Sequence, residues 1–307
     1  MKQLLKKTLS VCSFIANRKV LPNLEYGNAQ NRGDVIPVFI IGAPRSGSTY
    51  LSQLMIGSTD IGFYTNFHDE LYGAPFLAEK LMSLMSISNR NTSYSSEFGY
   101  SKGLFSESEG GRFWRRFFSK ENEHSKLVGM QRDRLVVALD MLFKANKSKR
   151  FLIKNNYNSF RLETLSEAFP NAKYIYLKRD VTDNAVSLYA ARKKIYGDEN
   201  IWWSMKPKND EGLDGLEPYQ QVVEQVLRIN SQIERDLNRY IEAENVICVD
   251  YSNLERKRDN VITDIASFIG RDSIDLNIPE YNTCIKRNGT DFPNTRQSIE
   301  RYLNERC

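Results

Sequence analysis

The sequence predicts an α/β fold in three layers, with a mainly parallel sheet flanked by helices. Short apolar runs alternate along the chain with longer segments whose apolar residues recur at helical spacing, as in strands joined by crossover helices. The first apolar run leads directly into a glycine-rich loop, GAPRSGST, and then into a helical pattern. At 307 residues the chain is long enough for one large domain of this class.

The first part of the chain predicts two strands around one helix. Residues 38–41 are an apolar run that ends at Gly42, which predicts a buried strand. After the loop, apolar residues from position 50 onwards recur at helical spacing, and Gly57 is placed to end that helix. Residues 61–65 are predicted to form a second, short strand.

The segment 71–148 lacks a sustained period. Clusters of Ser, Asn and Gly interrupt it between residues 86 and 111. Long irregular segments inside a compact domain are usually insertions or lids. We therefore expect residues 1–307 to form a single domain with a helical and loop insertion at about 71–148, outside the core.

The second half is more regular, and strands alternate there with helices. A helix before Pro170 must end at that residue, because proline cannot continue it. This alternation predicts parallel strands. In chain order, the predicted elements are a strand at 151–153, a helix at 162–169, a strand at 174–177, helices at 185–189 and 222–237, a strand at 245–249 and a helix at 261–268.

Composition narrows the class of ligand and the compartment. A net charge of +5 and a pI near 8.8 suit an anionic small molecule and are too weak to indicate nucleic acid. The cysteines are scattered and the two histidines lie far apart, so no metal site is predicted. Cys248, in an apolar run, is expected to be a buried free thiol, which favours a reducing, cytoplasmic location. The cysteines are Cys12, Cys248, Cys284 and Cys307.

The first 23 residues combine lysines with a short apolar stretch. That stretch has roughly the length of a signal-peptide core, but polar residues interrupt it and no small-x-small cleavage site follows. An amphipathic helix is favoured, and a cleaved signal or a loose membrane association stays open. No run approaches the ~20 apolar residues of a membrane span, so no transmembrane anchor is expected.

The loop has the composition of an anion-binding site. Gly42 and Gly47 allow a tight turn, and the following helix directs its N–H groups and positive dipole end at a bound anion. A nucleoside-triphosphate loop has lysine where Ser48 stands, and here the charge lies upstream at Arg45. Three alternatives remain at this point: another anion, a kinase with a degenerate loop, or a purely structural turn.

The stretch PRSGSTYL resembles the 5′-phosphosulfate loop of sulfotransferases that use 3′-phosphoadenosine-5′-phosphosulfate (PAPS), of the arginine-loop type. In that family a basic residue precedes Ser-Gly, as Arg45 does here. A second family motif places an arginine at a strand end and a serine eight residues later, and this chain has Arg179 and Ser187 at that spacing. Family members often have proline where Val181 stands, a departure that concerns only the helix start.

The resemblance covers residues 38–62 and 151–270 and implies a P-loop NTPase-like sulfotransferase fold. It implies PAPS as co-substrate without a metal ion. Tyr50 could instead be a core residue, and the basic pair at 286–287 could be a solvated loop. The residues that the resemblance implies for PAPS binding are Arg45, Ser46, Gly47, Ser48, Thr49, Tyr50, Arg179, Ser187, Lys286, Arg287 and Gly289.

Sulfuryl transfer to a hydroxyl or amine requires a cation at the leaving phosphate and a base at the acceptor. Arg45 is the candidate cation and Lys154 a second one, with a surface lysine as the alternative for the latter. Relatives commonly have a glutamate shortly after the second strand, where this chain has Asn66. His68 is therefore the first candidate base, since it titrates nearest neutrality, and Glu70 is the second. A polar helix-start role for His68 stays open.

The acceptor, a small molecule or a glycan, is not encoded in these motifs. Trp202, Trp203 and the segment 106–118 could line its site, although Phe113, Trp114 and Phe117 have a helical spacing that favours core. The competing functions are a nucleotide or small-molecule kinase and a non-catalytic nucleotide-binding protein, for which Asn66 argues. The oligomeric state, including a homo-oligomer, stays open.

Overall fold

A parallel β-sheet forms the centre of the computed structural model, which describes residues 16–26, 34–85, 87, 96–97, 100–119, 123–271, 274–276 and 292–306. The strands are β1 (Ile36–Ile41), β2 (Gly62–Phe63), β3 (Ser96–Glu97), β4 (Tyr100–Ser101), β5 (Arg150–Lys154), β6 (Lys173–Lys178) and β7 (Val246–Asp250). The central sheet has five strands in the order β2-β5-β1-β6-β7, and β3 and β4 form a separate antiparallel pair. Every pairing in the central sheet is parallel, which confirms the predicted fold class.

Helices cover both faces of this sheet. A short 3-10 helix, Asn156–Phe160, follows β5 and has a role at the site. The α-helices are α1 (Leu21–Tyr26), α2 (Ser48–Ser58), α3 (Asn66–Glu70), α4 (Pro75–Leu84), α5 (Gly111–Trp114), α6 (Met130–Asn146), α7 (Leu162–Ala168), α8 (Val181–Tyr196), α9 (Pro218–Tyr240), α10 (Tyr251–Arg256), α11 (Arg258–Phe268) and α12 (Pro293–Arg306). Of the helices that the structure describes, none has both the length and the apolar character needed to span a bilayer.

The central strand explains why the predicted strands are apolar throughout. On β1, Phe39 and Ile41 belong to one core cluster, and Val38 and Ile40 belong to another. A parallel strand covered on both faces needs apolar residues at successive positions, because neither face meets water. The continuous run VFII is therefore the pattern of a doubly covered strand.

The strand order places the loop after β1 at a ligand-binding position. Ile40 lies opposite Lys154 on β5 and opposite Ile175 on β6. The chain therefore leaves β1 between the carboxyl ends of β5 and β6, both of which come far later in the sequence. In open α/β sheets, ligands bind in the crevice at such a point.

The prediction that residues 71–148 lie outside the core is wrong for part of this segment. Phe113, Trp114 and Phe118 are almost fully buried, and they join the core cluster that contains Phe39. Helix α6 adds Leu139 and its neighbours to the same cluster. The polar clusters around these residues hide their contribution in the sequence, while the helical spacing of Phe113, Trp114 and Phe117 correctly indicated core.

The prediction that Cys248 is buried is also wrong. Its side chain is exposed, and β7 is the outermost strand on its side of the sheet. Only Val249 of that strand is buried, because an edge strand has one neighbour and less cover than a central one. The other cysteines lie outside the described residues, as do residues 1–15 of the predicted amphipathic helix.

Candidate active site

The backbone of the glycine-rich loop includes positive φ angles and close contacts with neighbouring residues. Arg45 and Gly47 both adopt left-handed conformations, with φ of 68° and 100°. A Cβ atom on Gly47 would lie 2.4 Å from the ring of Tyr251, so any other residue would collide there. A Cβ on Gly42 would lie 2.6 Å from the carbonyl oxygen of Leu177. Both glycines are therefore required by close approach of the loop to its neighbours.

The 3-10 helix after β5 holds the loop in place. The Gly42 amide donates a hydrogen bond to Ser159 Oγ at 3.0 Å, and Ser159 Oγ is 3.2 Å from the Gly42 carbonyl oxygen. Ser48 Oγ donates to Asn156 Oδ1 at 3.1 Å. The hydroxyl expected to contact an anion is thus bonded to the scaffold, while Thr49 beside it is half-buried.

Three of the predicted site residues, from two distant parts of the chain, lie together. Arg45 Nε donates to Ser187 Oγ at 3.1 Å, and Arg179 Nη1 donates to the Arg45 carbonyl oxygen at 2.9 Å. The Arg179 guanidinium also lies 4.8 Å from the ring centroid of Tyr251. The strand end, the start of α8 and the loop therefore form one cationic cluster.

The electrostatics of this cluster favour an anion. Burial, and then the neighbouring charge of Arg179, lower the pKa of Arg45 to about 10, which still leaves it charged at neutral pH. Two buried polar atoms, Arg179 Nε and Ser46 Oγ, have no hydrogen-bond partner among the described residues. Buried polar groups are normally paired, so the cluster has the properties of a site that a ligand completes.

Two other predictions for PAPS binding concern Tyr50 and the group at residues 286–289. Tyr50 is half-buried on α2, with its ring 6.5 Å from that of Tyr251 in an edge-to-face contact. This position suits both a core residue and a residue that stacks on a base. Lys286, Arg287 and Gly289 lie outside the described residues, so their role stays a prediction.

Lys154 is buried and paired, which excludes the surface-lysine alternative. Its side chain is 5% exposed, and its Nζ lies 2.5 Å from Glu109 Oε1. Asn155, the next residue, donates from Nδ2 to the Glu109 carbonyl oxygen at 2.8 Å. Sequence reasoning included Glu109 in the segment 106–118 that could line the acceptor site, but it did not single out this residue or its contact with Lys154. The signal was a pair of glutamates in SESEGG, which nothing in the local pattern assigned to the end of β5.

His68 has a structural role, so its prediction as the base is wrong. The side chain is fully buried, and its Nδ1 accepts from the Thr65 amide at 2.9 Å. Its Nε2 lies 2.9 Å from Glu79 Oε2. These contacts cap α3 and join it to α4. A general base must reach the acceptor, and a histidine with both nitrogens engaged in the interior cannot.

The residues around His68 also serve the scaffold. Asn66 Nδ2 donates to the carbonyl oxygens of Ser101 and Gly103 at 2.9 and 2.8 Å. Glu70 is 55% exposed and forms an ion pair with Arg112 at 2.6 Å. The position that relatives use for a glutamate is thus a structural amide in this chain, and Glu70 as base stays a prediction.

Stability measurements will separate the roles of His68 and Glu70. Replacing His68 with alanine should lower the free energy of unfolding by about 3 kcal/mol, because it leaves Glu79 buried beside a cavity. Replacing Glu70 with alanine should cost less than about 1 kcal/mol, because its ion pair is exposed. Urea denaturation measures both. Equal losses for the two variants would contradict the structural role of His68.

The tryptophans predicted to line an acceptor site contact the protein itself, and Trp203 packs against the core cluster that contains Val222. The guanidinium of Arg192 lies 4.7 Å from the ring centroid of Trp202, and Trp202 Nε1 donates to the Ser204 carbonyl oxygen at 3.2 Å. A cavity of about 640 Å³ opens between α9 and the 3-10 helix, with His124, Phe160 and Arg235 among its lining residues. It includes no residue of the loop, so it is separate from the cationic cluster.

Solved sulfotransferase structures are similar to this chain, and the first of those named here supports the fold with a TM-score above 0.5. The sulfotransferase STF9 from Mycobacterium avium is 15% identical over 92% of this chain and 72% of its own, with a TM-score of 0.53. The sulfotransferase STF1 from Mycobacterium tuberculosis H37Rv is 17% identical over 84% and 75%, with a TM-score of 0.49. The mouse sulfotransferase SULT7A1 complexed with PAP is 13% identical over 93% and 71%, with a TM-score of 0.39.

Sequence comparison identifies the family. No curated protein matches the chain. The model of the family described as "Sulfotransferase family" matches residues 37–275, which include the loop, β5 with Lys154, and the Arg179–Ser187 motif. Because this match spans most of the chain, the protein belongs to the sulfotransferase family.

Proposed function

We propose that the protein transfers a sulfuryl group from PAPS to a hydroxyl or amine of a small molecule or glycan, by an in-line reaction without a metal ion. The observation that carries this proposal is the contact of Arg45 with both Arg179 and Ser187. The family motif for the 5′-phosphosulfate and the family motif for the 3′-phosphate thereby form one cationic cluster at the carboxyl edge of the sheet.

The residues present fit an anionic nucleotide with phosphate groups at both ends. The loop amides and the start of α2 would hold the 5′ end, and Arg179 with Ser187 would hold the 3′-phosphate. The buried Arg179 Nε, which has no partner among the described residues, would gain an acceptor there. When bound, PAPS supplies a sulfuryl group on a good leaving group. Arg45 would stabilise the negative charge that grows on the leaving phosphate.

A kinase function is less well supported by the same contacts. The residue at the position of the phosphate-binding lysine is Ser48, and its hydroxyl is bonded to Asn156. A triphosphate would therefore lack the cation that holds its β- and γ-phosphates in kinases and ATPases. A non-catalytic nucleotide-binding function would explain Asn66, but it would not explain the Lys154–Glu109 ion pair beside the loop.

Ligand-induced stabilisation tests the proposal without knowledge of the acceptor. Adenosine 3′,5′-bisphosphate (PAP) at 100 times its Kd should stabilise the protein by about 2.7 kcal/mol, whereas AMP and ATP with magnesium at the same concentration should stabilise it less. Thermal-shift titration measures all three. The variant Arg179→Ala should remove the preference for PAP over AMP, and Arg132→Ala, on the surface of α6, should not. A preference for ATP with magnesium would contradict the proposal.

The acceptor can then be identified by a direct screen. Incubating the protein with PAPS and a library of sugars, phenols, amines and lipids should give one class of product with the mass of an added sulfuryl group. Mass spectrometry detects this addition. Cytoplasmic location stays a prediction, as does any assembly into a homo-oligomer.

A further inference from the structure

The ion pair between Lys154 and Glu109 lies at the same edge of the sheet as the donor loop. Lys154 is the last residue of β5 and lies opposite Ile40, two residues before Gly42. Its ammonium is 2.5 Å from Glu109 Oε1. The lysine side chain is 5% exposed and the glutamate side chain 25% exposed. The carboxylate is therefore held by a buried cation and still open to a molecule in the crevice.

The backbone around Glu109 is fixed in this position. Its carbonyl oxygen accepts from Asn155 Nδ2 at 2.8 Å, and the Ser108 amide donates to the Tyr64 carbonyl oxygen at 2.8 Å. Gly110 follows in a left-handed conformation with φ of 63°, and a Cβ atom there would lie 3.1 Å from the Tyr64 ring. This turn thus presents Glu109 to the strand end with little freedom to move away.

The neighbouring acidic residues form hydrogen bonds or ion pairs with other side chains. Glu107, two positions earlier, is buried and accepts hydrogen bonds from Gln53 and Ser101. Glu79 is buried against His68, and Glu70 is paired with Arg112. Glu109 differs from these three because its partner, Lys154, is itself a candidate for contact with the sulfuryl group.

We propose that Glu109 is the general base that accepts the acceptor's proton, with Lys154 as its partner at the sulfuryl position. This inference rests on the proposed sulfotransferase function. The acceptor oxygen forms a bond to sulfur as the bond between sulfur and the bridging phosphate oxygen breaks. The bonding electron pair leaves with the phosphate, and the acceptor's proton passes to a carboxylate oxygen of Glu109.

The shared charge of Lys154 should also affect the binding of PAPS, which binding experiments can measure. In the absence of donor, its ammonium is neutralised by Glu109. A sulfuryl group near Lys154 must then share that cation with the carboxylate, whose negative charge repels it. Removing the Glu109 charge should therefore tighten the binding of PAPS, while PAP, which has no sulfuryl group, should bind as before.

The variant Glu109→Gln tests the inference against a matched control. Glu167→Gln removes a carboxylate that also lies 2.5 Å from a lysine, Lys126, but on the exposed surface of α7. In Glu109→Gln we expect the Kd of PAPS to fall about threefold and the Kd of PAP to stay constant. Transfer to an identified acceptor, or to water when none is added, should fall about 100-fold. Glu167→Gln should match the wild type in all three measurements.

Each outcome decides between the inference and its alternatives. An unchanged ratio of the PAPS and PAP dissociation constants in Glu109→Gln would overturn it, and so would transfer at the wild-type rate. Equal losses of PAPS and PAP binding would identify Glu109 as a residue that only supports the fold. If the wild-type protein binds neither PAPS nor PAP, the proposed function is wrong, and so is the inference that rests on it. If the wild-type protein binds both and only Glu109→Gln behaves differently from expectation, the inference alone is wrong.

Discussion

Replacing Arg45 with alanine should lower the rate of sulfuryl transfer by about 100- to 1,000-fold. Arg45 is the cation of the loop, and its Nε contacts Ser187 on α8. Its loss removes the charge that opposes the growing negative charge on the leaving phosphate. It also breaks the link between the loop and the motif predicted to hold the 3′-phosphate.

Two further variants show which property of Arg45 matters. Arg45→Lys keeps the charge and loses the bond from Nε to Ser187, so it should retain more activity than alanine and bind PAP more weakly than the wild type. Arg132→Ala, which removes a partly exposed arginine of α6 that forms an ion pair with Glu167, should leave the rate unchanged. The rate of PAP release from PAPS measures all three variants. Near-normal turnover by Arg45→Ala would refute the role assigned to Arg45.

Replacing Gly47 with alanine should damage both stability and donor binding. The new Cβ atom would lie 2.4 Å from the Tyr251 ring, at a residue whose φ is 100°. Backbone strain and the collision together should cost about 2 to 4 kcal/mol of unfolding free energy. Because Arg179 stacks on Tyr251, moving that ring should also weaken PAP binding by about tenfold or more.

Gly212 provides a control for the strain alone. It has a φ of 76°, and a Cβ atom there would meet no atom within 4 Å. Gly212→Ala should therefore cost only about 1 to 2 kcal/mol and leave PAP binding unchanged. Urea denaturation and calorimetric titration with PAP measure the two effects. Similar losses in the two variants would show that the contact with Tyr251 is not what requires glycine at position 47.

The sequence predicted the central sheet well because its strands are covered on both faces. The runs at 38–41, 151–153 and 174–177 are apolar at every position, and all three are strands in the structure. Short apolar runs of this kind, bounded by turn residues, are typical of buried strands. The edge strand β7 shows the limit, since a strand was predicted at 245–249 but the exposure of Cys248 was not.

The sequence was least informative where the pattern is irregular. Residues 100–119 combine glycines, serines and charges, which is typical of a surface loop, yet Phe113 and Trp114 are buried in the core. His68 was misassigned for a related reason. Its chemistry suggested a base, but burial by α4 decided its role, and burial by a distant helix is not visible in a local pattern.

The sequence by itself determined the chemistry of the loop. Its glycines, Arg45 and its hydroxyl residues predict an anion site, and the family match includes them. These features are local, because a tight turn and a helix start depend on residues a few positions apart. Only the tertiary structure decided that Arg45 contacts Ser187, 142 residues later, and that Glu109 contacts Lys154, 45 residues later. Contacts over such separations depend on strand order and on packing of the irregular segment, neither of which any local pattern encodes.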